Sequence, residues 1–214
     1  MSPSTAQVSV ARRRAAQRAA QRRRRTILFV AFVGALALGA ALLAPLFRST
    51  VRDLTLPLNH EAEIRTQAAE KGLDPALIAG VIYAESKFVD QTSPAGALGL
   101  MQLMPETARF IADRSGGTAF TIEDLSTPEV NIAYGSWYLR YLLQHYDGDE
   151  VLALAAYNGG IGNVEQWLAE ARARGERFTE ADIPFAETRE YVDRVREARR
   201  DYAQTYPGEL GIRR

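Results

Sequence analysis

The chain has 214 residues, 47% of them hydrophobic and 24% charged, with a formal net charge of +0. These are globular proportions that exclude wholesale disorder, and the length allows one domain plus an appendage. Cysteine is absent and only His60 and His145 represent histidine. That excludes disulfides, thiolate metal sites and a cysteine nucleophile, and argues against a histidine-built metal site.

The zero net charge is a cancellation between two unlike parts. Residues 1–25 carry eight arginines and no acid, whereas residues 48–214 carry 18 basic and 26 acidic side chains, a net of −8. Residues 26–47 (TILFVAFVGALALGAALLAPLF) run for 22 positions without a charge. As a helix they span about 33 Å, enough for a bilayer's hydrocarbon core. Arg12, Arg13, Arg14, Arg18 and Arg22 to Arg25 precede them, and positive charge there holds that flank in the cytoplasm. This predicts a basic cytoplasmic tail (1–25), a single transmembrane helix (26–47) and an extracytoplasmic remainder. A cleaved secretory signal is the alternative, but the apolar run exceeds the usual signal length of about 7–15 residues. Both readings export the domain. Basic arms also bind nucleic acid or anionic lipid. Placement directly before an apolar span favours a topology signal, so no nucleic-acid partner is expected. Residues 48–58 read as a tether of at most about 40 Å.

Helix punctuation recurs from residue 59, and no alternating run long enough for a sheet appears. Asn59 can cap a helix that stops at Gly72. Asp74-Pro75 is an N-cap followed by proline at the first helical position. Pro105 opens a helix closed by Gly116-Gly117. Thr127-Pro128-Glu129 begins a long one ending near Tyr146. Asp149 starts another that stops at Gly159-Gly160, and Asn163 can cap the next, through about Ala173. A last helix runs from near Glu187 to about Tyr206. The expectation is an all-α domain over 59–206, followed by a short C-terminal tail, 207–214.

Three segments stand out. Leu77, Ile78, Val81 and Ile82 form an apolar stripe, and Glu85 continues it. Burial and the negative end of the helix dipole both disfavour a carboxylate there. Residues 96–105 (GALGLMQLMP) form a glycine-rich apolar loop with one amide, Gln102, and two of the three methionines. Such a loop lets backbone approach a ligand beside an adaptable apolar wall. Residues 156–160 (AYNGG) offer a ring, a hydroxyl and an amide at a helix end, suited to a polar ring-shaped ligand such as a sugar. Each segment alone is also compatible with ordinary core or capping.

Together, Glu85-Ser86-Lys87-Phe88, Gly99-Leu100-Met101-Gln102-Leu103-Met104-Pro105 and Ala156-Tyr157-Asn158-Gly159-Gly160 resemble the three signature motifs of the family 1 lytic transglycosylases. Glu187-Thr188-Arg189-Glu190-Tyr191-Val192 resembles that family's motif at the start of its last helix. The resemblance covers roughly residues 59–206. It implies a goose-type lysozyme-like, all-helical catalytic domain, preceded here by the single transmembrane helix. The implied substrate is bacterial peptidoglycan, cut between N-acetylmuramic acid and N-acetylglucosamine without a metal or cofactor.

The resemblance implies that Glu85 is the acid and then the base, closing a 1,6-anhydro ring. Ser86 would orient the sugar or its peptide-bearing lactyl group, and Met101 and Gln102 would line the cleft. Tyr157 and Asn158 would hold Glu85 or the substrate acetamido group. Glu187, at a helix start where the dipole favours an anion, and Tyr191 would be further cleft residues. Tyr83, Trp137, Tyr138 and Trp167 could stack on sugars but sit at core spacing. His60 and His145 read as ordinary surface or core residues. A hydrolase on the same fold and a non-catalytic wall-binding scaffold remain as alternatives. The predicted location is the cell membrane with the domain on the wall side, where wall-building or secretion machinery is a candidate partner.

Overall fold

Proline and aspartate punctuation translates into helix starts, and glycine into helix stops, much as the sequence suggests. The computed structural model describes residues 55–212 apart from position 118, and residues from Thr55 onward form a unit of their own. The basic tail, the apolar segment 26–47 and the tether as far as residue 54 lie outside the described residues. No helix among the described residues is long and apolar enough to cross a membrane.

Seven α-helices lie wholly within the described residues: α1 (Glu61–Lys71), α2 (Pro75–Ser86), α3 (Pro105–Ser115), α4 (Pro128–His145), α5 (Glu150–Gly159), α6 (Ile161–Ala173) and α7 (Ala186–Thr205). Among the described residues, extended pairing is limited to the isolated bridges Thr92–Leu98 and Leu98–Leu103. The all-helical expectation holds. Asp74 caps α2 by accepting from the Ala76 N–H at 2.9 Å, and Asp149 caps α5 by accepting from the Leu152 N–H at 3.1 Å. Gly72 and Gly116 end α1 and α3 in the left-handed conformation.

Two starts differ from expectation. α1 begins after His60, which adopts φ 60 and caps with no side-chain bond. α6 begins at Ile161 after Gly160, so Asn163 lies inside the first turn, donating to the Gly159 carbonyl at 2.7 Å. Two short 3₁₀ turns, Ile122–Ser126 and Glu180–Asp182, are closed by reciprocal Thr-x-x-Asp capping boxes at Thr121/Asp124 and Thr179/Asp182.

The core is built around α2 and α7. A Cβ on Gly80 of α2 would stand 2.9 Å from the Val195 carbonyl oxygen of α7. Only glycine permits that approach of the two backbones. Arg199 of α7 bridges the amino ends of two helices, donating to Asp74 Oδ2 at 2.7 Å and to Glu150. The segments flanking the helices also pack. Tyr206 donates to the Leu56 carbonyl at 2.7 Å, Tyr202 donates to the Pro57 carbonyl, and Leu210 is buried.

Candidate active site

α2 is buried along Leu77, Ile78, Val81 and Ile82, and Glu85 follows in the last turn. The chain then leaves the helix through two consecutive left-handed residues, Lys87 (φ 52) and Phe88 (φ 63). Non-glycine residues pay roughly 1–2 kcal/mol for that conformation. Phe88 is held there by burial against Tyr202, ring centroids 5.8 Å apart. The sharp exit leaves Glu85 at the edge of the core. Burial pushes its carboxyl up to about 7, opposed in part by the Tyr191 hydroxyl and by the positive charge of Arg194.

Two tyrosines from different helices meet this carboxyl. Tyr191 of α7 is 1% exposed, and its hydroxyl has no partner of proper hydrogen-bond geometry. Glu85 is the group it faces, close enough for the hydroxyl to favour the carboxylate although the geometry falls outside that of a regular hydrogen bond. Tyr157 of α5 donates to the Met101 carbonyl at 2.9 Å. Burial first, and then the charge of Glu85, hold its hydroxyl pKa well above the ordinary value. Its ring meets Tyr138 at 5.5 Å.

The glycine-rich loop is fastened from both sides. Ser86 donates to the Leu100 carbonyl at 2.7 Å and to Ile82 at 3.1 Å. Asn131 of α4, fully buried, accepts the Met101 N–H at 2.8 Å and donates to the carbonyls of Leu98 (2.9 Å) and Leu125 (3.0 Å). Gln102 adopts φ 46 and folds its amide back onto the carbonyls of Gly99 (2.7 Å) and Gln91 (2.9 Å). A Cβ on Gly135 would stand 2.8 Å from the Met101 Cβ, so α4 receives the Met101 side chain only because that position is glycine.

The remaining expected site residues lie as follows. The Ser86 hydroxyl, in a residue only 5% exposed, is engaged by backbone and anchors the loop. Met101 is fully buried; its carbonyl faces Tyr157, while its side chain belongs to the core. Tyr157 bonds the loop instead of Glu85. Asn158 is exposed, and its carbonyl oxygen accepts from Thr188 at 2.8 Å, which leaves its amide N–H groups for a ligand. Glu187 is exposed in the first turn of α7. Among the aromatics, Trp167 is buried beneath exposed Phe185, centroids 5.2 Å apart. Trp137 stacks on Tyr141 at 5.6 Å. Tyr83 donates to the Thr55 carbonyl at 3.2 Å. His145 pairs with Glu165 at 3.0 Å.

Two residues at the site were not singled out from sequence. Asn131 shares a face of α4 with Gly135, Tyr138 and Leu142, so a polar residue on a buried stripe was the available signal. Arg194 lies three residues after Tyr191 and seven after Glu187, on the same face of α7.

Comparison with known proteins gives the family. Residues 63–178 match the Transglycosylase SLT domain family. The soluble lytic murein transglycosylase of Salmonella typhimurium is 42% identical over 111 residues, 48% of this chain and 16% of that protein. The membrane-bound lytic murein transglycosylase C of Salmonella paratyphi B is 29% identical over 161 residues, 65% of this chain and 45% of that protein. The structure of an inactive mutant of the lytic transglycosylase Slt from Pseudomonas aeruginosa superposes with a TM-score of 0.65 at 36% identity, over 72% of this chain and 25% of that one. The chain thus spans less than half the length of each of these relatives. Its matched residues fill more than half of its own sequence, and the chain belongs to the Transglycosylase SLT domain family.

Proposed function

We propose that this chain is a peptidoglycan lytic transglycosylase that uses Glu85 as its single acid and base. The observation that carries the reading is a carboxyl pushed up to about 7 by burial, at the end of an apolar helix in a domain of this family. A glycosidic leaving oxygen needs a proton, and an acid with a pKa near the working pH delivers it best.

In the first step the Glu85 proton passes to the departing glycosidic oxygen. The acetamido oxygen of N-acetylmuramic acid attacks its own anomeric carbon as that bond breaks. In the second step the Glu85 carboxylate takes the proton from the C6 hydroxyl. The C6 oxygen then displaces the acetamido oxygen, which closes a 1,6-anhydro ring and restores the acid. No water is consumed. The amide N–H groups of Asn158 hold the sugar's polar edge. Ser86, Asn131 and Tyr157 keep the 96–105 loop in place against the cleft.

The domain is anchored to the membrane by residues 26–47, with the N-terminus inside. The uncharged run and the arginines before it support this, and one relative is named as membrane-bound. Protease added to intact spheroplasts should remove the domain and spare the tail; a protected domain would overturn the topology. For the chemistry, mass spectrometry of muropeptides released from purified wall is decisive. Anhydro ends, lighter by one water than reducing ends, are expected. A digest dominated by reducing ends would instead mark a hydrolase.

A further inference from the structure

We propose that Arg194 is a positioning residue for the acid/base group, the fixed counter-charge that steadies the Glu85 carboxylate between the two proton transfers. The inference rests on the transglycosylase reading and adds to it a residue that none of the four motif segments contains.

The geometry begins on α7. Tyr191 and Arg194 are three residues apart, hence on one face of the helix, and the Arg194 guanidinium lies over the Tyr191 ring, 5.9 Å from its centroid. A cation above a ring face is held by the ring's quadrupole. The hydroxyl of the same ring is buried facing Glu85 and favours its carboxylate. Tyr191 thus fixes both partners: its ring seats the cation and its hydroxyl faces the carboxyl. Arg194 is exposed, and its charge reaches Glu85.

Three other arginines of the domain pair with carboxylates. Arg174 pairs with Glu176 and Asp182, Arg196 with Glu180, and Arg199 with Asp74 and Glu150. Among the described residues, Arg194 forms no such salt bridge. Its side chain is held by a tyrosine that faces the acid, not by a carboxylate of its own.

The chemistry gives this charge a task. Glu85 must be neutral to start and anionic in the middle. Desolvation opposes the anion, so a buried acid alone would give up its proton reluctantly. A cation at the cleft edge lowers that cost without filling the space the sugar needs. The groups facing Glu85 are Tyr157 from α5 and Tyr191 and Arg194 from α7. Glu187 and Glu190 precede Arg194 on α7. Of these, Arg194 alone supplies positive charge.

The test compares pH profiles of wall cleavage for the parent, Arg194→Gln and Arg194→Lys, with Glu85→Gln as control. Removing the charge should move the alkaline limb to higher pH by about half a unit, the scale of one solvent-screened charge. The maximal rate should fall several-fold, and lysine should restore part of both effects. Carbon-13 NMR titration of labelled Glu85 in the substrate-free protein reads the same shift without turnover, and thermal melting verifies the fold. An alkaline limb and a Glu85 titration both unmoved in Arg194→Gln would overturn the proposal. An active Glu85→Gln would instead overturn the transglycosylase reading on which it rests.

Discussion

Asn131 and Met101 are joined across 30 positions of sequence by a single buried bond: the asparagine side-chain oxygen accepts the Met101 backbone N–H at 2.8 Å. The same amide donates to Leu98 and Leu125, so one side chain satisfies three buried backbone groups. Replacing Asn131 with alanine strands all three. Each unsatisfied group costs about 1–3 kcal/mol, and the site relaxes in part. Urea unfolding should show a loss of about 2–4 kcal/mol. Wall cleavage should fall further than stability at temperatures where the variant remains folded, because the loop beside Glu85 loses its tie.

Glu85→Gln should reduce wall cleavage by at least about 10²–10⁴, the common worth of general acid help alone. The actual loss should be larger, since the same group also acts as base. Circular dichroism of the variant should match the parent. Appreciable residual cleavage would contradict the assignment.

The raised pKa of Glu85 has consequences for both rate and stability. The acid must start protonated, so cleavage should decline as pH rises through about 7. For stability, the folded value lies above the ordinary carboxyl value of 4.5, so the native state favours the neutral carboxyl. That contribution is complete below about 4.5 and is lost as pH rises through about 7. Glutamine cannot ionise. Relative to the parent, Glu85→Gln should therefore melt higher at pH 8 than at pH 4, by the equivalent of roughly 1–3 kcal/mol. Equal differences at both pH values would show that Glu85 titrates like an exposed carboxyl.

Gly80→Ala should destabilise by about 1–3 kcal/mol, the usual range for overpacking. The new methyl would meet the Val195 carbonyl, a backbone atom that cannot rotate away. Because α2 carries Glu85 and α7 carries Tyr191, a shift between the helices should also lower cleavage. A variant with unchanged denaturant midpoint and activity would show that the two helices have room to separate.

The helix boundaries were legible wherever a side chain or a proline marks them. Asp74-Pro75, Pro105 and Asp149 all lie where local chemistry puts a helix start. Asn163 misled because an asparagine in a first turn can bond the carbonyl four residues back just as it can cap. At the site, Glu85 stood out because a carboxyl on an apolar stripe is a local anomaly. Ser86 and Met101 lie beside it in the motifs, yet their side chains face the loop and the core. Sequence proximity does not reveal which way a residue at a helix exit points. Asn131 and Arg194 were missed because their significance depends on what stands opposite them, on segments tens to more than a hundred positions away.

The grip of Tyr202 and Tyr206 on the carbonyls of Pro57 and Leu56 has a mechanical consequence. Any pull exerted along the chain from its amino-terminal side enters the domain at Thr55 and is resisted by three hydroxyls, those of Tyr202 and Tyr206 and that of Tyr83, which donates to the Thr55 carbonyl. Tyr202 projects from the last turn of α7 and Tyr206 caps its end, beyond Tyr191 and Arg194 in sequence, whereas Tyr83 stands two residues before Glu85 on α2. Most of the load is thus taken up at the far end of α7, several turns from Tyr191 and Arg194. Tugging on the chain should peel the 55–57 segment away before it disturbs the acid. A single-molecule extension trace should accordingly show a small, low-force release ahead of the main unfolding event, and phenylalanine at positions 83, 202 and 206 together should abolish that first step while leaving the second.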